Sequence, residues 1–237
     1  MVEKSQSQFK IVVLGEARVG KTSLTLRFCR GNFDEKQIST VDASCLSQTV
    51  SLGGGSSAQK VTLNIWDTAG QERYHALNKV YYQGAEGALI VYDITDLESW
   101  NKVSMWVKEL QRYLPAETPI IITGNKCDIQ NRQIPLDEAE RYAMSVGSQH
   151  FSSSAKTGAG VNDLFRNLTE KIIEYKKNQK DSQPKFKQNT RGRLNIGGMT
   201  DFNPDANVRL SRTGDAKQTQ EVQKKKKEKK GCCGGGG

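Results

Sequence analysis

The stretch of the chain with the clearest chemical potential is the octapeptide "GEARVGKT" (15–22), which matches the pattern G-x-x-x-x-G-K-[ST]. It follows an apolar run typical of a buried strand and opens a run of helix-forming residues. Gly15 and Gly20 let the backbone curl so that successive N–H groups face a phosphate, and the helix dipole favours the negative charge. Lys21 can reach terminal phosphates, and the Thr22 hydroxyl can bind Mg²⁺. The other residues expected to line the bound phosphates are Ala17, Arg18, Val19 and Ser23.

A second motif, "WDTAGQE" (66–72), follows an alternating apolar run. Asp67 at a strand end is placed to hold Mg²⁺ through water, as acidic residues do in phosphate-transferring sites. Gly70 has no side chain, so its N–H can approach a terminal phosphate closely. Gln71 can orient an attacking water. The motif therefore predicts the catalytic end of a nucleoside-triphosphate site.

The tetrapeptide "NKCD" (125–128) predicts which base is bound. The Asp128 carboxylate can accept two hydrogen bonds from N1–H and the amino group of guanine, a pair that adenine lacks. Asn125 would tie loops together, and the stem of Lys126 would cover one face of the base. In the later tripeptide "SAK", the Ala155 backbone N–H would bind the guanine oxygen. The tripeptide's other two residues, also expected at the nucleotide, are Ser154 and Lys156.

Short apolar strands and helical stretches alternate along the chain and position these motifs. This alternation favours an α/β fold with a mostly parallel sheet covered by helices on both faces. Ligands bind such sheets at the carboxyl ends of the strands, where all the motifs fall. The strands are predicted at 9–15, 43–52, 60–67, 87–95, 119–125 and 150–156, and the helices at 21–29, 99–114, 136–146 and 161–177.

Taken together, the motifs resemble those of the Ras superfamily of small GTPases over residues 9–177. The segments "WDTAGQERYHAL" and "YYQGAEGALIVYDIT", with a pair of adjacent cysteines, are similar to the Rab family. Within the Rabs, "QISTVDASCL", "WVKELQRYL" and "EAERYAMSVG" resemble the early-endosomal Rab twenty-one subgroup. The resemblance implies a six-stranded G domain that binds GTP and GDP with Mg²⁺, hydrolyses GTP slowly and acts as a monomeric switch.

The resemblance also implies roles for individual residues and partners. Thr40 would bind Mg²⁺ and the γ-phosphate, and Phe33 would pack against the guanine. The γ-phosphate and Mg²⁺ would hold Thr40 and Gly70 in place, and hydrolysis would remove those contacts and let both loops relax. An aromatic patch for effectors would comprise Cys45, Trp66 and Tyr81. The other implied partners are an exchange factor, a GTPase-activating protein, a GDP-dissociation inhibitor and a prenylation escort.

Three residues depart from the family pattern. Ala17 stands where Ras has glycine, which leaves two alternatives, a normal slow GTPase and an impaired one. Cys45 replaces the usual phenylalanine, so the effector patch is smaller at one corner. Asp42 replaces a glycine and adds a charge nearby. These departures bear on hydrolysis and on the choice of effector.

Charge divides the 237-residue chain unevenly, although its net charge is +9 overall. Residues 176–237 hold 16 Lys and Arg against 6 Asp and Glu, whereas residues 1–175 hold 19 against 20. The expected organisation is a flexible start (1–8), a G domain (9–177) and a disordered basic tail (178–237). Within the tail, "KKKKEKKGCC" places Cys232 and Cys233 beside lysines. The Rab resemblance implies that both cysteines are geranylgeranylated. Two lipids and the basic run would then anchor the protein to a cytoplasmic membrane face, which the resemblance implies is that of the early endosome, with a cytosolic pool in the GDP-bound state.

Other classes of function find less support in the sequence. The start of the chain is unlike a signal peptide, no apolar run approaches the roughly 18 residues of a membrane span, and the five cysteines lack metal-binding spacing. Two rival functions remain. One is a module that binds nucleotide without turnover, against which Gln71 argues. The other is a nuclear or nucleic-acid role for the lysine run, against which the paired cysteines argue, so no nucleic-acid partner is expected.

Overall fold

A computed structural model describes residues 7–38, 40, 43–53, 58–68 and 80–182 of the chain. The residues Asp42, Gly70, Gln71, Cys232 and Cys233, which the sequence singles out, lie outside the described residues. So does nearly all of the predicted tail.

Six strands of the described residues form one sheet in the order β2-β3-β1-β4-β5-β6. Only β2 runs antiparallel, along its neighbour β3, and the remaining neighbours pair in parallel. The central β4 is buried at every position, as a strand covered on both faces must be. The predicted mostly parallel α/β fold is confirmed. The strands are β1 Ser7–Leu14, β2 Ser44–Leu52, β3 Gln59–Asp67, β4 Gly87–Asp93, β5 Ile120–Asn125 and β6 Gln149–Ser152.

Helices cover both faces of the sheet, and two apolar cores result. One core joins the strands to Leu24 of the first helix and Phe165 of the last, and the other joins them to Trp106 and Ala143 of the middle helices. Within the described part of the chain, no helix combines the length and the apolar composition that crossing a bilayer needs. The helices are α1 Lys21–Arg30, α2 Leu97–Asn101, α3 Val103–Tyr113, α4 Leu136–Ser145 and α5 Val161–Ser182.

The single helix predicted at 99–114 is wrong, because α2 and α3 are separated at Lys102. The backbone N–H of Lys102 is shared between the carbonyls of Glu98 and Trp100, which tightens the turn. Its ammonium pairs with Glu16 of the first loop at 2.9 Å and with Glu98 of α2 at 3.3 Å. The apolar face that the sequence predicted is still buried across both helices.

The strand predicted at 150–156 is also too long, since β6 ends at Ser152. The Ser154 N–H turns away from the sheet and donates to the Ala159 carbonyl at 2.9 Å. The tripeptide at 154–156 is therefore a loop. At the other limits of the fold, β1 begins two residues before, and α5 ends five residues beyond, the boundaries expected for the domain.

Candidate nucleotide-binding site

The loop between β1 and α1 is held against the neighbouring strands by two glycines. Gly15 has φ 139°, and a Cβ there would lie 2.0 Å from the Val91 carbonyl oxygen. Gly20 has φ 92°, and its Cβ would lie 2.5 Å from Nδ2 of Asn125. Between them Arg18 adopts a left-handed φ of 65°, which is costly for a residue with a side chain. The loop therefore depends on both glycines for its path.

Lys21 is a buried cation at the start of α1, only 5% exposed. Its ammonium donates to the Gly15 carbonyl at 2.9 Å and the Glu16 carbonyl at 2.8 Å. Burial lowers the pKa of Lys21 to about 8, against the opposing charges of Asp67 and Glu16. Three N–H groups are present on an ammonium, so one remains to donate to a ligand.

A cluster of oxygen donors lies beside this lysine. The Thr22 hydroxyl donates to Oδ2 of Asp67 at 2.6 Å and lies 2.5 Å from the Thr40 hydroxyl. Asp67 is 1% exposed, and its Oδ1 has no hydrogen-bond partner among the described residues. Burial raises the pKa of Asp67, while the bond from Thr22 and the charge of Lys21 oppose that shift. Two hydroxyls and an unsatisfied carboxylate oxygen fit a hard cation such as Mg²⁺.

The opposite end of the site is built from the loops after β5 and β6. The Ser154 hydroxyl donates to Oδ1 of Asp128 at 2.5 Å, which fixes that carboxylate. Asn125 donates from Nδ2 to the Val19 carbonyl at 2.8 Å, and its Oδ1 accepts the Ala155 N–H at 3.2 Å. The Ala155 N–H, expected from the sequence to bind guanine, thus has a protein partner in this structure. Asn125 thus links the loop between β1 and α1, called the phosphate loop below, to the loop after β6, called the base loop.

Lys126 is held in place by a residue that the sequence reasoning missed. Its backbone is left-handed, with φ 67°, and its ammonium lies 2.5 Å from Oδ2 of Asp93. Asp93 in turn accepts the N–H and the hydroxyl of Thr95 through Oδ1. The only signal in the sequence was an aspartate at the end of a buried strand.

These groups surround a cavity of about 390 Å³ at the carboxyl ends of the strands, a size typical of small-molecule sites. Phe33 lines it near Glu35, whose carboxylate lies 2.6 Å from the Lys156 ammonium. Gly15, Val19, Asp67 and Ser154 flank the cavity without lining it. The lining residues that sequence reasoning predicted are Ala17, Arg18, Gly20, Lys21, Thr22, Ser23, Phe33, Thr40, Asn125, Lys126, Asp128, Ala155 and Lys156, and those it missed are Asp34, Glu35, Gln37, Ile38 and Ile129.

The three residues of the predicted effector patch also lie close together. Cys45 on β2 pairs with Trp66 on β3, and the rings of Trp66 and Tyr81 are 6.0 Å apart. The Lys10 ammonium lies 4.7 Å from the centre of the Trp66 ring, where a cation is attracted to the ring face. Cys45 is exposed, so the patch has a small, accessible corner.

The sheet carries the phosphate loop and the loops after β5 and β6 at the carboxyl ends of its strands. This arrangement is that of the P-loop nucleotide-binding domains. A sequence model of the Ras family matches residues 10–174, and the chain belongs to that family.

The curated relatives narrow the class further. The chain is 49% identical to the Ras-related protein Rab-21 of Homo sapiens over 167 residues, which is 70% of this chain and 72% of the relative. It is 46% identical to the Rab-21 of Dictyostelium discoideum over 170 residues, which is 71% of this chain and 78% of the relative. The chain is thus a Rab small GTPase similar to the Rab-21 subgroup, and like its family it hydrolyses GTP.

Proposed function

We propose that this protein is a GTP/GDP switch that works with Mg²⁺ on the cytoplasmic face of early-endosomal membranes and recruits effectors in vesicle traffic. The observation that carries the proposal is the contact of Thr22, Thr40 and Asp67. It joins α1, the segment before β2 and the end of β3 at the phosphate end of one cavity. A ligand that organises these oxygens couples three parts of the chain.

At the phosphate end, Lys21 and the loop N–H groups bind the β- and γ-phosphates. Thr22, Thr40 and Asp67 are the residues that would hold Mg²⁺, which supplies neutralising charge to the phosphates when bound. Thr40 is the switching element, because the γ-phosphate of GTP and Mg²⁺ would hold it in place and hydrolysis would release it. Gln71, outside the described residues, orients the water, and Gly70 contacts the γ-phosphate.

At the base end, Asp128 selects guanine. Its Oδ1 accepts a hydrogen bond from the Ser154 hydroxyl at 2.5 Å, which restricts rotation of the carboxylate and so supports its proposed role as the acceptor of the N1–H and amino group of the base. Phe33 and the stem of Lys126 cover the ring faces. An adenine nucleotide leaves the carboxylate without these donors, and such a loss discriminates strongly in a site built for hydrogen bonding.

The guanine assignment is tested by competition. Asp128→Asn should lose affinity for GTP and gain affinity for XTP, because xanthine carries a carbonyl where guanine carries the amino group. The matched control is Asp137→Asn, an exposed aspartate of α4 outside the cavity, which should keep the wild-type preference. Equal affinities of the wild type for ATP and GTP would refute the assignment.

The membrane role rests on the sequence. Cys232 and Cys233 beside the lysine run are proposed to carry two geranylgeranyl groups, since one lipid chain binds only marginally and two anchor stably. Replacing both by serine should release the protein from membranes without changing GTP binding, and replacing one should leave weak attachment. Flotation of each variant, with mass spectrometry of the peptide, checks this, and an unmodified peptide from membrane-bound protein would contradict it.

The proposed effector surface is the patch formed by Cys45, Trp66 and Tyr81. Trp66 of this patch precedes Asp67, which is bonded to Thr22 and through it to Thr40, so we propose that loss of the Thr40 contacts reaches partners through this surface. The family brings further proposed partners to the protein: an exchange factor, a GTPase-activating protein, a GDP-dissociation inhibitor and a prenylation escort.

A further inference from the structure

Arg27 on α1 makes three hydrogen bonds to backbone carbonyls with three different nitrogens. Nε donates to Ala155 at 2.7 Å, Nη2 to Lys156 at 2.5 Å and Nη1 to Gly31 at 2.6 Å. The guanidinium fork is rigid, so it fixes the relative positions of the groups that it bridges. Sequence reasoning did not single out this residue.

An ordinary explanation accounts for one of these contacts. Gly31 is the C-cap of α1, and a basic side chain in the last turn of a helix satisfies carbonyls there. The other two contacts are with Ala155 and Lys156, which lie 128 and 129 positions further along the chain, so these contacts contribute nothing to the end of α1. They reach the carbonyls of two consecutive residues in the loop after β6.

That loop carries the base end of the cavity. Ser154 donates to Asp128, the Ala155 N–H donates to Oδ1 of Asn125, and Lys156 pairs with Glu35. Holding the carbonyls of residues 155 and 156 fixes the peptide planes on both sides of Lys156. Through Gly31 the same side chain also ties down the start of the segment that leads to Glu35.

We infer that Arg27 is a positioning residue that holds the base loop over the guanine ring and so sets how long the nucleotide stays bound. The inference rests on the guanine site proposed above. The three hydrogen bonds of Arg27 go to Ala155, Lys156 and Gly31 and to none of the proposed phosphate or Mg²⁺ ligands, so we expect its main effect at the base end. The same constraint fixes the Ala155 N–H, which donates to Oδ1 of Asn125 at 3.2 Å and which the proposed guanine site also presents to the oxygen of guanine, so Arg27 is a determinant of base discrimination as well.

The experiment measures release of a fluorescent GDP analogue from the full chain in excess unlabelled GDP. Arg27→Ala should accelerate release by about tenfold to a hundredfold, because it removes charge-assisted hydrogen bonds to two loop carbonyls. Arg27→Lys keeps the charge but can reach fewer carbonyls, so its rate of GDP release should lie between those of wild type and Arg27→Ala. It replaces the alanine variant in the test if that variant does not fold. The matched control is Arg30→Ala, an exposed arginine three residues further along α1, which should release at the wild-type rate.

Two further measurements separate positioning from a general loosening of the fold. The factor by which chelation of Mg²⁺ accelerates release should be the same in wild type and Arg27→Ala, since the phosphate end is intact. The preference for GDP over 6-thio-GDP, whose sulfur accepts hydrogen bonds weakly, should shrink in Arg27→Ala. A structural role alone would leave that preference unchanged.

The inference is overturned if Arg27→Ala and Arg27→Lys both release GDP at the wild-type rate. It is equally overturned if Arg27→Ala releases GDP faster but keeps the wild-type preference for GDP over 6-thio-GDP. The same holds if chelation of Mg²⁺ no longer accelerates release in Arg27→Ala as it does in wild type. Failure of the underlying guanine assignment would be seen separately, as wild-type protein that binds ADP as tightly as GDP.

Discussion

The two ends of the nucleotide cavity are held together by different kinds of contact. At the phosphate end, the charged groups Lys21 and Asp67 are buried and bonded to backbone and hydroxyl oxygens over short distances. At the base end, buried contacts such as that of Asn125 with Ala155 are joined at the mouth of the cavity by an exposed pair, Glu35 and Lys156, from distant parts of the chain. Buried charges interact strongly and are insensitive to salt, whereas exposed pairs are weak and screened. Affinity should therefore depend mainly on the first end, and base choice and residence time on the second.

The largest expected effect is that of Lys21→Met. It removes the buried cation but keeps an unbranched stem, so affinity for GTP and GDP should fall about a hundredfold to a thousandfold, as when one partner of a buried charge pair is lost. The fold itself should also lose stability, because the Gly15 and Glu16 carbonyls lose a donor and the buried Asp67 loses its countercharge. Titration with fluorescent GDP and thermal unfolding without nucleotide measure the two effects.

The control for this variant is Lys36→Met, an exposed lysine in the segment that borders the cavity. It should bind nucleotide as the wild type does. Near-normal binding by Lys21→Met would remove the proposed difference between the ends.

Asn125→Ala should weaken both ends, because this side chain joins them. It leaves the Val19 carbonyl and the Ala155 N–H without their partner in a buried site, at about 1–3 kcal/mol each. GDP affinity should drop by roughly tenfold to a hundredfold, and unfolding should be easier even without nucleotide. Asn101→Ala, at an exposed position of α2, should change neither. If Asn125→Ala lost affinity without loss of stability, the two ends would not be joined through this residue.

A pH titration tests the phosphate end, because Lys21 should make nucleotide affinity and protein stability change with pH in opposite directions. Because burial lowers the pKa of Lys21 to about 8 in the folded protein, against 10.5 ordinarily, the ammonium is lost above pH 8 unless a bound phosphate stabilises it. Binding must then restore the proton, so nucleotide affinity should fall by up to about tenfold per pH unit above 8. Stability of the nucleotide-free protein should instead rise from about pH 8 toward 10.5, where the unfolded chain binds more protons than the folded one.

Lys21→Arg provides the control, because a guanidinium does not titrate in this range. Any pH dependence that belongs to the nucleotide itself persists in this variant and can be subtracted. An identical slope in wild type and Lys21→Arg would show that Lys21 does not lose its proton there.

The sequence predicted the two ends unequally well, for a physical reason. The phosphate loop is one contiguous motif whose geometry is local, so Gly15, Gly20 and Lys21 could be placed from their spacing alone. The contacts of Arg27, Asp93 and Glu35 depend on which loops the sheet order brings together, and neither helix propensity nor periodicity carries that information. Sheet type and the buried helix face were predicted because patterns of apolar residues determine them.

The boundaries that were wrong have the same explanation. Lys102 is a good helix former, so nothing local in the sequence indicates a break there, and its ammonium pairs with Glu16 of the phosphate loop. The strand predicted through Lys156 ends at Ser152, and beyond it Ser154 bonds to Ala159 and Asp128 instead of a neighbouring strand. In both places the residues make contacts with distant parts of the chain that local preference does not predict.

The smallest expected effect is that of Glu35→Gln at the mouth of the base end. Glu35 pairs with Lys156 at 2.6 Å, but both side chains are exposed, and such pairs contribute little in water. GDP release should be only about two- to fivefold faster at low salt. The difference from wild type should vanish near 1 M salt, where screening acts within about 3 Å. Lys156→Gln should have the same effect at low salt, and the double variant should be no faster than either single one if the pair acts as a unit. Additive effects, or a salt-independent one, would mean that each side chain contacts the nucleotide separately, and the base end would then not be closed by an exposed ion pair.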